Sequence, residues 1–220
     1  MEHPYWNAHY RTFKLQQPSS FSRYCATQHL RPSDVLVELG CGNGRDGLML
    51  LQHVSRYVGV DICSAAMDAF AGCTGMHRQS GQPEPNLLRT DFTSIDFNEF
   101  CSEDRRLAVY SRFTLHAITY AEQARLFDHL AAIRRSRWVF MVEARTIDDD
   151  LYGQGRKVGP HEYETDHYRR FIDPSAFLRD VSSRFTVRYF QVSDGFAVYG
   201  CENPVLMRAV IEGGDVVSTQ

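Results

Sequence analysis

The chain has 220 residues, of which 43% are hydrophobic and 23% charged, and its formal net charge is -3. These values are ordinary for a globular protein, and the length suffices for one domain with a sizeable core. Nucleic acids bind to basic surfaces, so the net charge gives no reason to expect a nucleic-acid partner. No apolar run is long enough to cross a bilayer, the first residues contain no apolar signal region, and the six cysteines include no C-x-x-C or zinc-finger spacing. We therefore expect a cytoplasmic protein with reduced thiols and no membrane association.

Residues 1–33 precede the first predicted strand and form an N-terminal helical appendage to the main domain, which we place at 34–220, so that the chain is a single domain overall. The segment is rich in aromatic residues, namely Tyr5, Trp6, Tyr10, Phe13, Phe21 and Tyr24. Two interpretations remain open. The segment is a helical appendage whose aromatic side chains pack on the sheet, or a lid that excludes water from a bound ligand, and both can hold because a lid excludes water by apolar packing.

A short apolar run, Val35–Leu39, is followed by three closely spaced glycines, Gly40, Gly42 and Gly44. The composition of the run is typical of a central strand in a parallel sheet, buried on both faces. Glycines allow a sharp turn and a close approach of the backbone to a ligand, because they carry no Cβ. The pattern predicts a strand, a ligand-binding turn and then a helix over about 43–53.

The spacing of the glycines distinguishes between ligands. The dinucleotide fingerprint G-x-G-x-x-G would place its third glycine at position 45, which is Arg45. Glu38 stands two residues before Gly40. A carboxylate there would repel a pyrophosphate and attract an amino-acid ammonium group. The pattern therefore disfavours an NAD-dependent oxidoreductase, which remains the alternative.

Two further predicted strands end in acidic residues. Arg56–Val60 is followed by Asp61, and the third strand, over 86–92, contains Asp91 near its end. A carboxylate after the second strand can accept hydrogen bonds from both hydroxyls of a ribose. Alternatively, Asp61 interacts with a helix N-terminus and Asp91 forms a turn.

Four more strands are predicted, over 106–113, 138–145, 185–192 and 205–211. A capping box at Thr119–Glu122 and an Asp-Pro pair at 173–174 each predict the start of a helix. The alternation of strands and helices indicates an α/β fold, a Rossmann-like three-layer sandwich. We expect a mostly parallel seven-stranded sheet with an antiparallel hairpin at one edge.

The stretch 146–170 lacks a regular pattern and is predicted to be a long functional loop. Within it, residues 161–167 are rich in possible metal ligands. Their spacing fits no standard metal site, so we expect no bound metal.

The E-x-G-x-G-x-G pattern, the two acids and the segment 112–116 together resemble class I S-adenosylmethionine (SAM)-dependent methyltransferases. The resemblance covers nearly the whole chain and is nearest to small tellurite-resistance-like enzymes and to methyltransferases of polysaccharide or natural-product gene clusters. It implies SAM as methyl donor, with Asp91 accepting a hydrogen bond from the adenine amino group and Phe92 stacking near the ring. The implied SAM site comprises Glu38, Gly40, Gly42, Asn43, Gly44, Arg45, Asp46, Asp61, Ile62, Asp91, Phe92 and Ser111. A SAM-binding module without catalytic activity is the third possibility.

Several motifs of macromolecular methyltransferases are absent from the sequence. It contains no N-P-P-[YF] motif, no Pro-Cys pair after the fourth predicted strand, and no K-D-K-E set that we can locate. These absences favour a small-molecule acceptor, with a monomer and a homodimer both open.

The ends of the fourth and fifth strands and the adjoining loop supply the candidates for acceptor chemistry. Arg112, His116, Arg145, Tyr168 and Arg170 are predicted to bind the acceptor. Several arginines at one sheet edge suggest an anionic acceptor, with a carboxylate or phosphate, and we expect O-methylation. Arg112, His116 and His167 are the catalytic candidates, and either histidine would act as base if the acceptor group is a hydroxyl. Alternatively, Arg112 forms a structural ion pair with Glu143, and Arg169 and Arg170 lie on a solvated face.

Overall fold

A computed structural model describes residues 4–12, 17–77, 83–134 and 137–213. The strands in these ranges are β1 Val35–Leu39, β2 Arg56–Asp61, β3 Asn86–Arg89, β4 Leu107–Arg112, β5 Trp138–Arg145, β6 Arg156–Gly159, β7 Glu162–Glu164, β8 Tyr168–Arg170, β9 Thr186–Ser193 and β10 Leu206–Gly213. The α-helices are α1 Pro4–Thr12, α2 Ser20–Gln28, α3 Gly47–Leu50, α4 Ser64–His77, α5 Tyr120–Ala131 and α6 Pro174–Arg184. The predicted aromatic Phe13 lies outside the described residues.

Seven strands form the main sheet, in the order β3-β2-β1-β4-β5-β10-β9. The first five strands in this order are parallel, whereas β10 runs antiparallel to both β5 and β9. The predicted α/β architecture, with its antiparallel hairpin at one edge, is therefore confirmed. The strand order reverses between β1 and β4, because β2 and β3 lie on one side of β1 and β4 and β5 on the other. A crevice forms at such a reversal, at the carboxyl ends of the strands.

The sheet is buried by helices on both faces, which explains the apolar composition of β1. Val37 and Leu39 face a cluster that includes Phe127 of α5 and Phe177 of α6. Leu36 faces the opposite cluster, which includes Phe21 of α2. Successive side chains of a strand point to opposite faces of the sheet, so the short strand β1 contributes to the apolar core on both sides.

The region after β1 differs from the prediction of a helix over 43–53. Gly40, Gly42 and Gly44 all have positive φ angles, of 64°, 54° and 82°. An α-helix cannot contain such a run, so α3 begins only at Gly47 and passes into a 3-10 helix, Leu51–His53. The third strand is also shorter than predicted, because Asp91 caps a 3-10 helix that begins at Phe92.

The prediction that 146–170 is a long irregular loop is wrong. The strands β6, β7 and β8 form a separate antiparallel sheet within it. Its core is aromatic, since the ring of Tyr152 lies edge-on to those of Tyr163 and Phe171. A bridge between Thr146, which follows β5, and Ile172, which follows β8, joins the segments that carry the two sheets.

The described helices include none that combines the length and the apolar composition needed to cross a lipid bilayer.

Candidate functional site

A cavity of about 490 Å³ lies at the carboxyl ends of the first four strands. This volume falls in the range of sites that bind cofactors and small molecules. The predicted site residues that line it are Glu38, Gly40, Asn43, Arg45, Asp46, Asp61, Ile62, Asp91, Phe92, Arg112 and His116. Those that do not line it are Gly42, Gly44, Ser111, Arg145, His167, Tyr168 and Arg170. The structure therefore brings together the residues at the carboxyl ends of β1 to β4, and the residues of the small sheet do not line the cavity.

The glycine turn approaches two aromatic or branched side chains so closely that larger residues would not fit. A Cβ added at Gly42 would lie 2.5 Å from the hydroxyl oxygen of Tyr10, and one at Gly40 would collide with Thr114. The backbone N–H of Gly42 donates to Oδ2 of Asp61 over 2.8 Å. Gly42 thus does not line the cavity but helps to position both the turn and the carboxylate of Asp61.

Glu38 is a buried acid in the floor of the cavity. It is 4% exposed, and the hydroxyl of Tyr57 donates a hydrogen bond to its Oε2 atom. Burial raises the pKa of Glu38 well above its ordinary value, and the negative charge of Asp46 raises it further. A cation bound in the cavity would oppose both effects and favour the ionised carboxylate.

Asp46 ties the N-terminal segment to the sheet. Its carboxylate accepts hydrogen bonds from the backbone N–H and hydroxyl of Ser19, both over 2.7 Å, from Ser22 over 3.1 Å and from Tyr110 over 2.7 Å. Four donors engage the two oxygens, so most of the capacity of this carboxylate is used within the protein. Its predicted contact with the cofactor remains a prediction.

Asp61 and Asp91 each combine a local structural role with a position on the cavity. Asp61 accepts from the backbone of Gly42 and, over 2.8 Å, from that of Cys63, while burial raises its pKa. Asp91 accepts from the backbone N–H and the hydroxyl of Thr93, both over 2.8 Å. The turn-forming interpretation of Asp91 is therefore correct in its geometry. A carboxylate has about four acceptor positions, so both residues can still bind a ligand hydroxyl or amino group.

Arg112 belongs to a buried cluster of charges. Its Nε atom donates to Oε1 of Glu143 over 2.8 Å, and Nε of Arg208 donates to Oε2 of the same carboxylate over 2.6 Å. Glu143 is fully buried, and its charge raises the pKa of Arg112 against the opposing effect of burial. The predicted Arg112–Glu143 ion pair is thus present, and the guanidinium also lines the cavity.

The turn after β4 places Phe113 and His116 beside Arg112. Phe113 is one of two non-glycine residues with positive φ in the described chain, and its ring centroid lies 4.1 Å from the guanidinium carbon of Arg112. His116 is 6% exposed, and its Nδ1 atom has no hydrogen-bond partner among the described residues. Burial lowers the pKa of His116 well below its ordinary value, and the charges of Arg145 and Arg169 lower it further, which disfavours the protonated imidazole.

Arg170 does not reach the cavity, although we predicted that it binds the acceptor. It donates from Nε to the carbonyl of Ile118 over 2.9 Å and from Nη2 to that of Leu115 over 3.0 Å. A further bond of 2.6 Å joins it to the side chain of Gln123. The guanidinium instead holds both ends of the turn that carries His116.

Arg145 and His167, which we also predicted as site residues, are engaged within the protein, whereas the hydroxyl of Tyr168 is buried without a hydrogen-bond partner among the described residues. Arg145 donates to both oxygens of Asp149 over 3.0 and 2.9 Å. His167 pairs with Asp166 over 2.8 Å and stacks on the ring of Tyr5, with centroids 4.2 Å apart. Tyr168 lies in β8, and burial raises its pKa. Within the described ranges, no group of three or more His, Cys, Asp and Glu side chains is arranged to hold a metal ion.

Helix α1 covers one side of the cavity. Trp6, His9 and Tyr10 line it, whereas Tyr5 lies on His167 instead. The helix is also tied to the start of α4, because the Oδ1 atom of Asn7 accepts from the backbone of Ala65 over 3.3 Å. The interpretations as packing appendage and as lid are therefore compatible.

Sequence reasoning missed several lining residues, namely His9, Cys41, Phe113, Thr114, Ala117, Ile118 and Glu122. The position of most of them directly after β1 or β4 is the signal that could have identified them. The capping-box role of Glu122 concealed its second position on the cavity.

No protein-family model matches the chain, and no curated protein matches it. Among solved structures, it is similar to a SAM-dependent methyltransferase from Anabaena variabilis, with a TM-score of 0.66, 17% identity and coverage of 94% of this chain and 91% of that one. It is also similar to a SAM-dependent methyltransferase from Methanosarcina mazei, with a TM-score of 0.64, 15% identity and coverage of 86% of this chain and 96% of that one. A third similar structure is 1,6-didemethyltoxoflavin-N1-methyltransferase from Burkholderia thailandensis, solved with 1,6-didemethyltoxoflavin and S-adenosylhomocysteine. Its TM-score is 0.62, with 18% identity and coverage of 88% of this chain and 76% of that one. The fold of the chain is therefore that of the SAM-dependent methyltransferases.

Proposed function

We propose that the protein is a SAM-dependent methyltransferase that O-methylates a small, anionic acceptor. One observation carries this proposal: a single cavity joins the glycine turn and the acids after β2 and β3 to the polar turn after β4. The glycine turn and the two acids would bind the methyl donor, a nucleoside linked to an amino acid. The turn after β4 would bind the acceptor, so that donor and acceptor meet in the same cavity.

The residues present fit SAM. Glu38 would bind the ammonium group of the methionine end. Burial and the charge of Asp46 destabilise the ionised carboxylate, and a positive charge beside it would stabilise it. Asp61 would accept hydrogen bonds from the ribose hydroxyls, and Asp91 from the adenine amino group near Phe92. SAM supplies a methyl group that its sulfonium already activates. The chain would contribute binding, orientation and exclusion of water.

Basic side chains lie at and near the acceptor end of the cavity. Arg112 lines it, and Arg145 and Arg169 lower the pKa of His116 from outside the cavity, after the larger effect of burial. An anionic group on the acceptor would offset these charges and could bind the planar guanidinium of Arg112. Helix α1 would act as a lid, because Trp6 and Tyr10 cover the same space.

His116 is the better candidate for a general base, if the acceptor group is a hydroxyl. It lines the cavity, whereas His167 lies behind it and contacts Tyr5 and Asp166. The imidazole of His116 has a nitrogen lone pair that can accept a proton. The lowered pKa makes it a weak base, and an anionic acceptor at Arg112 would offset the positive charges that contribute to this lowering. The narrower resemblance to tellurite-resistance-like enzymes remains a prediction.

Ligand binding distinguishes this proposal from an NAD-dependent oxidoreductase, and methyl transfer distinguishes it from a SAM-binding module without activity. Thermal-shift measurements with SAM, S-adenosylhomocysteine and NAD should show stabilisation by the first two and none by NAD. Stabilisation by NAD alone would favour the oxidoreductase. Transfer of a labelled methyl group from SAM to any small acceptor would exclude a SAM-binding module without catalytic activity.

A further inference from the structure

A buried cluster of charged side chains lies behind the acceptor end of the cavity. The guanidinium groups of Arg112 and Arg208 share the single carboxylate of Glu143, each through its Nε atom. Asp46 is the next carboxylate that acts on Arg112, and it accepts four hydrogen bonds from other groups. Of the two arginines, Arg112 lines the cavity, so a ligand anion can reach it there.

An aromatic ring lies close to both this cation and the imidazole. The ring of Phe113 packs under the guanidinium of Arg112, and its centroid is 5.3 Å from that of His116. Phe113 reaches this position through a φ angle of 59°, which bulky residues rarely adopt. Strained residues of this kind concentrate at ligand sites. The side chain of Trp6 lines the same cavity from α1, so aromatic surface is available from both the turn and the helix.

His116 provides a polar group without a protein partner. The residue is 6% exposed, and its Nδ1 atom has no hydrogen-bond partner among the described residues. Buried polar groups normally have partners, so an unpartnered one on a residue that lines a cavity is a candidate contact for a ligand. Arg170 fixes the turn on both sides of His116, so the imidazole is held in place for such a partner.

We infer that the acceptor is an aromatic hydroxy acid, whose acid group binds Arg112, whose ring packs on Phe113 and whose hydroxyl bonds to His116. This inference rests on the proposed methyltransferase function and specifies its acceptor. It selects the hydroxyl as the methylated group, because the acid group is occupied at Arg112. A carboxyl-methylating enzyme would need no group in the place of His116.

Isothermal titration calorimetry with the full chain tests this recognition without turnover. The protein is first saturated with S-adenosylhomocysteine, whose own binding heat tests the proposed function. The probes are then 2-, 3- and 4-hydroxybenzoate, benzoate, phenol and the corresponding methoxybenzoates. At least one hydroxybenzoate should bind about tenfold more tightly than benzoate, phenol and its methoxy analogue, since each lacks one of the two polar contacts.

Variants identify the residues that recognise each group. Arg112→Gln should remove the preference for the acid over phenol, whereas Arg112→Lys, which keeps the positive charge, should only reduce it. His116→Gln should reduce the preference for the hydroxyl over benzoate at least about threefold. Each variant should bind S-adenosylhomocysteine as before, which also shows that it is folded. The surface substitutions Arg179→Gln and His53→Gln are matched controls and should change neither preference.

The outcomes separate the inference from the function beneath it. If S-adenosylhomocysteine does not bind, the methyltransferase proposal fails. If it binds but no hydroxybenzoate does, or benzoate binds equally well, the aromatic hydroxy acid is excluded and the methyltransferase proposal stands. If Arg112→Gln weakens the binding of S-adenosylhomocysteine and not that of the probes, Arg112 binds the carboxylate of the donor, which also overturns the inference.

Discussion

The Nε atom of Arg170 donates a hydrogen bond of 2.9 Å to the carbonyl oxygen of Ile118, which joins the small sheet to the turn that carries His116. With its second bond, to the carbonyl of Leu115, the same guanidinium spans that turn. The small sheet, which lies between β5 and α6 in the chain, therefore supports the candidate site without lining it.

Replacement of Arg170 by Gln should destabilise the protein and disturb His116. The shorter amide cannot reach both carbonyls, so buried acceptors lose their partners, and we expect a loss of about 2–3 kcal/mol in the free energy of unfolding. Urea denaturation measures this loss, and the exposed Arg179→Gln should change the value by less than about 0.5 kcal/mol. Equal, small effects of the two substitutions would show that Arg170 does not hold the turn.

The buried charge cluster predicts a large effect of a small change at Glu143. Glu143→Gln leaves the two guanidiniums of Arg112 and Arg208 without their shared counter-charge, which should cost about 3–5 kcal/mol. Glu202→Gln is the matched control, because Glu202 is 61% exposed and also pairs with an arginine. That exposed pair should contribute less than about 1 kcal/mol. Chemical denaturation of both variants should therefore separate them widely, and similar midpoints would contradict the role of Glu143.

Two glycines with different surroundings should respond in opposite directions to alanine. Gly42→Ala places a Cβ against Tyr10 at a positive φ, and we expect a loss of about 1–2 kcal/mol and weaker SAM binding. Gly72 lies in α4, and a Cβ added there would meet no atom within 4 Å, so Gly72→Ala should stabilise the protein by about 0.5–1 kcal/mol. Thermal denaturation and SAM titration of both variants check this difference. If Gly42→Ala is neutral, the turn is less constrained than its φ angle indicates.

The pH dependence of stability should report on Glu38. Its folded pKa is raised from an ordinary value of 4.5 by burial and by Asp46, so above pH 4.5 the folded protein retains a proton that the unfolded chain releases. Stability contributed by this proton is lost as the pH rises toward the folded pKa. Glu38→Gln has no such proton, and its free energy of unfolding should fall less over that range.

Denaturation series from about pH 4.5 to about pH 8 test this prediction. The exposed Glu99→Gln should follow the unchanged protein, because Glu99 carries no buried charge. Saturating SAM should reduce the difference between Glu38→Gln and the unchanged protein, if its ammonium stabilises the ionised carboxylate. Parallel profiles for all three proteins would exclude a raised pKa at Glu38.

The sequence predicted the main sheet well because the strands that matter are short, apolar and followed by glycine or acid residues. Val35–Leu39 and the acids Asp61 and Asp91 show this pattern locally, and the parallel order of their strands brings them together. The capping box and the Asp-Pro helix start are equally local signals. Each lies where the structure begins a helix, at Thr119 and at Asp173.

The remaining features depend on partners that are distant in the chain. The small sheet contains strands of only three or four residues, such as Tyr168–Arg170, whose charged composition does not predict pairing. Whether Arg170 faces the cavity or the turn at 115–118 depends on that sheet. The left-handed backbone of Phe113 has no signal in the sequence, because phenylalanine rarely adopts it.

Calorimetric titration with SAM is the most direct test of the central claim that this cavity binds the methyl donor. We predict saturable heat with SAM and with S-adenosylhomocysteine at one site per chain, and none with NAD. Asp61→Asn should weaken both interactions about tenfold, because the ribose hydroxyls lose a charged acceptor. An absence of heat with both compounds, or unchanged binding after the substitution at Asp61, would contradict the account.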